Sequence, residues 1–368
     1  MKVFLSVLRL WPLPLLLGCG PLMQAQSPQF SQYDANKLIL NPAFTGHDPG
    51  FSSYSAARMQ WVQVGGRETQ FNTRSTGVAF ELPYTGLGLQ YLSSTEGSGR
   101  LAWQQASFQF AFRNRSPKPA AKHQGEFSLG LSASASWWSL GRPGALVFAD
   151  QLHPFLGQVS SSSQIPGEAL QLNQSPYFEA GGGFLYERRF GEQDDWYFHS
   201  GLAFRHMALG APDRSFRSPV RISTHGVLVK QGDLDPVPIW GVLSWRVDAQ
   251  AYSAFPQRLA ADAWSWQLGY RTFIGDATGI WGGIWYAGRP ALGRHIQSLI
   301  LGAGTHQALS DNGAALLLGF TYDYTLSGLV NDGGGTYELV FSFRFPYRLD
   351  GQAGGGRRPP RGMPCPKF

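Results

Sequence analysis

Beyond its first 25 residues this chain has no apolar run approaching the roughly 18 residues that a membrane-spanning helix needs, so helical spans are excluded. Charge is scarce too, at 15% of 368 residues against roughly 25% in ordinary soluble domains. There are two cysteines, Cys19 and Cys365. If the leader is removed Cys365 stands alone, and no internal disulfide framework can form. The histidines are scattered, and the remaining cysteine lacks a partner at ligand spacing, so neither a metal nor any other cofactor is expected. Gly181-Gly182-Gly183 is not followed by the Lys-Ser/Thr of a phosphate loop and falls within a strand pattern, where glycine marks a bend or a close approach.

The formal charge of +6 lacks breadth. Residues 1–25 carry Lys2 and Arg9 with no acid, and residues 346–368 carry Arg348, Arg357, Arg358, Arg361 and Lys367 against Asp350, which leaves the stretch between them neutral. A neutral body with a basic tail offers no extended cationic face, so nucleic acid is not an expected partner.

What is abundant is aromatic side chain, 14%, together with 46 glycines. Apolar and polar residues alternate with a period of two along most of the body. Phe127, Leu129, Leu131, Ala133, Ala135 and Trp137 interleave with Glu126, Ser128, Gly130, Ser132, Ser134 and Ser136, and Trp264, Trp266, Leu268 and Tyr270 with Ser265, Gln267, Gly269 and Arg271. Alternation of this kind suits a sandwich or a membrane barrel. Fourteen strands are predicted, near 51–63, 71–82, 86–94, 101–113, 126–138, 177–190, 196–207, 221–231, 237–250, 262–274, 278–287, 296–307, 314–326 and 335–345. The connections at one end are short, apart from 114–125, and those at the other end are longer, up to 139–176. An even strand count with short periplasmic turns and long outer loops favours an all-β, transmembrane antiparallel barrel in contact with the lipid bilayer.

The expected organisation is a secretory signal peptide over 1–25, an irregular extended segment over 26–50, the barrel over 51–346, and a disordered basic Gly/Pro-rich periplasmic tail over 347–368. Lys2, Arg9, the apolar stretch to Gly18 and the small residues to Ala25 have the pattern of a leader cleaved after Ala25. Leu16-Leu17-Gly18-Cys19 is a rival, because it resembles a lipobox that would lipidate Cys19. Pro28 and Pro42 each remove a backbone donor and bias the preceding residue away from helix, so extended chain with turns is expected over 26–50.

The string Gln26-Ser27-Pro28-Gln29-Phe30-Ser31-Gln32-Tyr33, then Leu38 to Gly46 with Asn41-Pro42, then Arg58-Met59-Gln60-Trp61 resembles the opening of the PorP/SprF family, the outer-membrane component associated with type IX secretion and gliding in Bacteroidetes. Leu87-Gly88-Leu89, Gly201-Leu202-Ala203 with His206, Tyr322-Asp323-Tyr324, Gly335-Thr336-Tyr337-Glu338 and the terminal Cys365-Pro366-Lys367-Phe368 are similar to later parts of the pattern. Asp34 and Lys37 depart from it, where apolar or uncharged residues would be expected. The resemblance implies an outer-membrane anchoring or substrate-docking protein. Its implied partners are type IX components, a periplasmic peptidoglycan-binding lipoprotein, or the C-terminal domain of a secreted adhesin. The alternative is a transport channel for small hydrophobic or polar solutes.

Candidate partner or plug contacts are Gln29, Phe30, Tyr33, Asn41, Pro42, Arg58, Gln60 and Trp61, with Arg357, Arg358 and Cys365 in the tail. If Trp61 faces lipid, Gln60 and Arg58 face the lumen, where both would pin the N-terminal segment. Trp61, Trp103, Trp137, Trp138, Trp196, Trp240, Trp264, Trp281 and Trp285 are expected to anchor the barrel at the membrane interfaces. Ser223 and His225 share one strand face, but polar residues on alternate positions are what a barrel wall requires, and a triad needs mutual hydrogen-bond reach. No enzymatic activity is expected.

Overall fold

A strand that buries one face and exposes the other repeats that choice every second residue, and in this chain the repeat closes on itself. In the computed structural model fourteen antiparallel strands form a closed barrel. They are β1 Phe51–Gln60, β2 Phe71–Leu82, β3 Thr85–Glu96, β4 Leu101–Asn114, β5 Glu126–Leu140, β6 Tyr177–Phe190 and β7 Trp196–Leu209, then β8 Val220–Leu234, β9 Val237–Ala251, β10 Trp264–Ile274, β11 Thr278–Gly288, β12 Ser298–Ala308, β13 Ala315–Thr325 and β14 Thr336–Phe345. The structure describes residues 29–33, 35–60, 71–97, 100–114, 125–141, 152–153, 157–158, 176–191, 195–209, 220–234, 237–251, 264–275, 278–288, 298–310, 313–326 and 335–346. Residues 152–153 and 157–158 form a small separate hairpin. No described helix is long and apolar enough to cross a membrane.

Each strand pairs with its neighbours in sequence, and β1 closes the ring against β14 from Phe51↔Phe345 to Gln60↔Thr336. Closure removes the free edges that lipid cannot hydrogen-bond. The two faces follow parity: along β4, Trp103, Gln105, Ser107, Gln109, Ala111 and Arg113 point inward and are buried, while Ala106, Phe108, Phe110 and Phe112 point outward and are exposed. The apolar outward set faces lipid and the polar set lines the lumen. All fourteen expected strands are present, with ends shifted by a few residues at most. The connections at one end are 83–84, 115–125, 191–195, 235–236, 275–277 and 309–314, and the other end carries the longer set, including 141–176.

Parity is broken once where it matters. Opposite Ala180 to Gly182 of β6 the register with β7 shifts, so that Arg205 and His206 together face Gly181, with His206 at φ +62°. This bulge sends two consecutive side chains into the lumen: Arg205 reaches the Leu38 carbonyl, and His206 Nδ1 lies 3.2 Å from Glu179. The glycine triplet therefore sits at an irregularity, as its composition suggested.

Candidate functional site

Backbone that is neither helix nor paired strand cannot face lipid, so a segment preceding β1 must lie inside the barrel or beyond its rim. Here it lies inside. Phe30, Ser31, Gln32, Tyr33, Lys37, Leu38, Asn41, Ala43, Phe44 and Thr45 are all nearly fully buried. The expectation of extended chain needs correction: Lys37–Leu40 forms one helical turn, α1, and Pro42–Phe44 forms a 3-10 turn. Asn41 sits between them, and its side chain accepts from the Ala43 N–H at 2.9 Å. Pro42 is then the first residue of a helical turn, where its missing donor costs nothing.

Three groups of luminal side chains hold the segment. In the first, Arg58 of β1 lies between Asp323 of β13 (2.7 Å) and Glu338 of β14 (3.1 Å), and Glu338 is directly opposite Arg58 in the ladder. Two carboxylates share one guanidinium, and the segment supplies the missing donors. The Ser31 and Gln32 N–H groups donate to Glu338 at 2.6 and 2.7 Å, and the Ser31 hydroxyl donates to Asp323 at 2.7 Å. Arg58 also donates to the Ser31 hydroxyl oxygen.

The second group spans β8, β9 and β10. Asp248 accepts from Arg221 at 2.9 Å and pairs with Arg246 at the same distance. Arg246 in turn donates to the Phe30 carbonyl at 3.3 Å, with its guanidinium 4.9 Å from the Tyr33 ring centroid. Gln267 donates to the Ser31 carbonyl at 2.7 Å, and Gln29 donates to Ser265 at 2.9 Å. A cavity of about 10 Å³, space for about one water, lies between Phe30, Tyr33, Leu40, Arg221, Ser223 and Arg246.

The third group fixes the end of the segment nearer β1. Asn41 donates to the Phe184 and Leu202 carbonyls, Gln109 to the Leu38 carbonyl and Arg113 to the Thr45 carbonyl. Lys37 pairs with Asp48 at 2.8 Å, the Tyr54 hydroxyl donates to the same carboxylate, and His47 lies 2.7 Å from Glu187. Burial pushes the Asp48 carboxyl up, but Lys37 and His47 outweigh it and hold the pKa well below the usual carboxylate range. Lys37, the departure from the family pattern, thus finds its counter-ion eleven residues on in the same segment. Close approach of the segment also explains several glycines. A Cβ on Gly130 would strike Pro42 and Ala43, and one on Gly183 would strike Asn41.

Of the residues singled out in the sequence, Gln29, Phe30, Tyr33, Asn41, Pro42 and Arg58 therefore converge in the lumen. Gln60 has the same inward parity as Arg58 but is half-buried at the far end of β1, away from the described contacts of the segment. Trp61, Asp34, Arg357, Arg358 and Cys365 lie outside the described residues, as do the leader and tail. Ser223 and His225 do share a face, but Ser223 donates to Asp248, and His225 packs on Phe44 with ring centroids 5.5 Å apart. The interface role expected of the tryptophans needs correction for five of them. Trp103, Trp240, Trp281 and Trp285 are inward and buried, and Trp138 is inward and half-buried with its ring 6.3 Å from that of Trp103, because their parity is that of the polar face. Trp196 faces outward near the turns, with Lys230 over its ring at 5.0 Å, as an interface residue would.

Asp323, Glu338, Arg246, Asp248 and Gln267 were not singled out as contacts. Their signal was a charge or amide on the polar parity of a strand, which gives the face but not the neighbour across the lumen.

An even-stranded closed barrel, apolar outside and polar within, is an outer-membrane β-barrel. More narrowly, the chain belongs to the PorP/SprF family: the family model for the type IX secretion system membrane protein PorP/SprF matches residues 22–235, more than half of its length. No curated protein matches it. Among solved structures it superposes on the toluene transporter TbuX of Ralstonia pickettii with a TM-score of 0.45 and 12% identity, covering 85% of this chain and 94% of that one. For the toluene transporter TodX of Pseudomonas putida the TM-score is 0.44 at 12% identity, over 86% and 94%. CdiB from Acinetobacter baumannii gives 0.41 at 9%, over 80% and 60%.

Proposed function

We propose that this protein is a non-enzymatic outer-membrane anchor or substrate-docking component of the type IX secretion or gliding machinery, with its lumen closed by its own N-terminal segment. The observation that carries this reading is the Arg58, Asp323 and Glu338 group. Buried charges satisfied by donors from Ser31 and Gln32 make the segment a structural part of the barrel rather than a loose gate. A wall built for steady solute passage would leave such groups to water, and on that ground docking is preferred to the solute-channel alternative.

In this proposal the chain is exported by its leader, cleaved after Ala25. The long loops meet a surface partner such as a secreted adhesin domain, and the basic tail with Arg357, Arg358 and Cys365 meets a periplasmic one such as a peptidoglycan-binding lipoprotein. Affinity purification from the native membrane tests it. The full chain is expected to recover type IX components, and a chain truncated after Phe345 is expected to lose the periplasmic ones. Recovery of no such component by the full chain would reject the docking role. Unchanged recovery by the truncated chain would remove the tail from it.

A further inference from the structure

The outward face of a membrane barrel should be apolar, and over β10 to β14 it is, with Leu268, Tyr270, Ile280, Ile284, Leu301 and Phe320 exposed. The wall of β1 and β2 differs. Arg74 points outward there, opposite Ala57 of β1 and Ser93 of β3, and its outward neighbours along β2 are Asn72 and Thr76. Among the described residues no carboxylate shares that patch. A lipid-facing arginine is destabilising by an amount that grows with depth unless its charge meets an anion.

Beside Arg74 runs a groove of about 390 Å³. Small side chains, Ser55, Ala57 and Thr76, form its floor; Leu339 and Phe341 of β14 form one side and Tyr91 of β3 the other. A second groove of about 560 Å³ shares Thr76 and Tyr91 and continues over Ala106, Ala133 and Ala135. A cation thus lines the first apolar channel, and the second continues from it through Thr76 and Tyr91, which is the layout of a lipid with a phosphate and more than one acyl chain. Height selects the leaflet. Arg74 is the fourth residue of β2, counted from the end that carries the long connections, and in a barrel of this kind that end is extracellular. Among the described strand residues the other outward cations, Arg188 and Lys230, lie toward the short-turn end.

We propose that the wall formed by β14, β1, β2 and β3 is a binding site for a phosphorylated glycolipid of the outer leaflet, of the lipid A type, with its phosphate on Arg74 and its acyl chains in the two grooves. The guanidinium donates to the phosphate oxygens, and the small floor residues let the chains lie against the backbone. This site depends on the barrel and its orientation, and not on which secretion partner the protein serves.

Native mass spectrometry of the full chain in detergent tests it, with hexa-acyl lipid A, its dephosphorylated form and phosphatidylglycerol as the three probes. Lipid A is expected to be retained over the other two. Arg74→Gln should weaken retention roughly tenfold, the loss of one charge-assisted hydrogen bond, and Arg74→Lys should weaken it less. Ala57→Phe, which fills the groove floor and leaves Arg74 in place, should also lower retention. Heat-modifiable migration on a gel reports that each variant has folded. Equal binding of dephosphorylated lipid A, equal binding of phosphatidylglycerol, or unchanged retention in both Arg74→Gln and Ala57→Phe would each overturn the proposal.

Discussion

Arg58 shows how a single luminal side chain ties the segment to the wall. Its guanidinium is flanked by Asp323 and Glu338, so within this group two carboxylates share one cation, and the segment's N–H groups complete the set. Removing the cation leaves two buried like charges facing each other. Arg58→Met is therefore expected to cost about 3–5 kcal/mol, read as a lower urea midpoint or a lower temperature of heat-modifiable unfolding. Adding Glu338→Gln should recover part of that loss. An unchanged midpoint in the single variant would mean that the network contributes no stability. The inward parity of Arg58, Asp323 and Glu338 was legible in the sequence, since all three sit on the polar phase of their strands. That they meet was not, because β1 and β14 are neighbours only when the barrel closes.

At the scale of elements, alternation alone located all fourteen strands, because lipid on one side and a polar lumen on the other impose the same period on every strand. Two features escaped it. The bulge at Arg205 and His206 puts consecutive residues on one face, which a period of two cannot express. The helical turn α1 depends on burial: a four-residue turn has no stability of its own in water, and here it is enclosed by Tyr54, Ala79 and the strands behind them. The fit between turn and wall yields a second prediction. Gly130→Val and Gly183→Val should push Pro42 and Asn41 off the wall, accelerating proteolysis within residues 29–50 while the barrel keeps its heat-modifiable migration. Gly282→Val, where an added Cβ on the lipid face meets only the Gly302 carbonyl oxygen at 4.0 Å, an ordinary contact, should leave cleavage unchanged. Equal protection in all three would show that the segment is not seated on those glycines.

For the whole molecule, the question is whether a barrel of fourteen strands conducts. Such a ring is wide enough to need filling, and here the N-terminal segment and five inward tryptophans occupy it. The full chain in planar bilayers is expected to pass little current, whereas a chain lacking residues 29–48 should open a steady conductance. Equal currents would reject closure by the segment. The sequence by itself determined the secondary structure, the strand number and the sidedness of each strand, since these follow from local periodicity and from connection lengths. Only the tertiary structure decided what fills the lumen, because closing the ring brings Ser31 and Gln32 to Glu338, more than 300 residues away, and no local pattern encodes a contact between groups so distant along the chain.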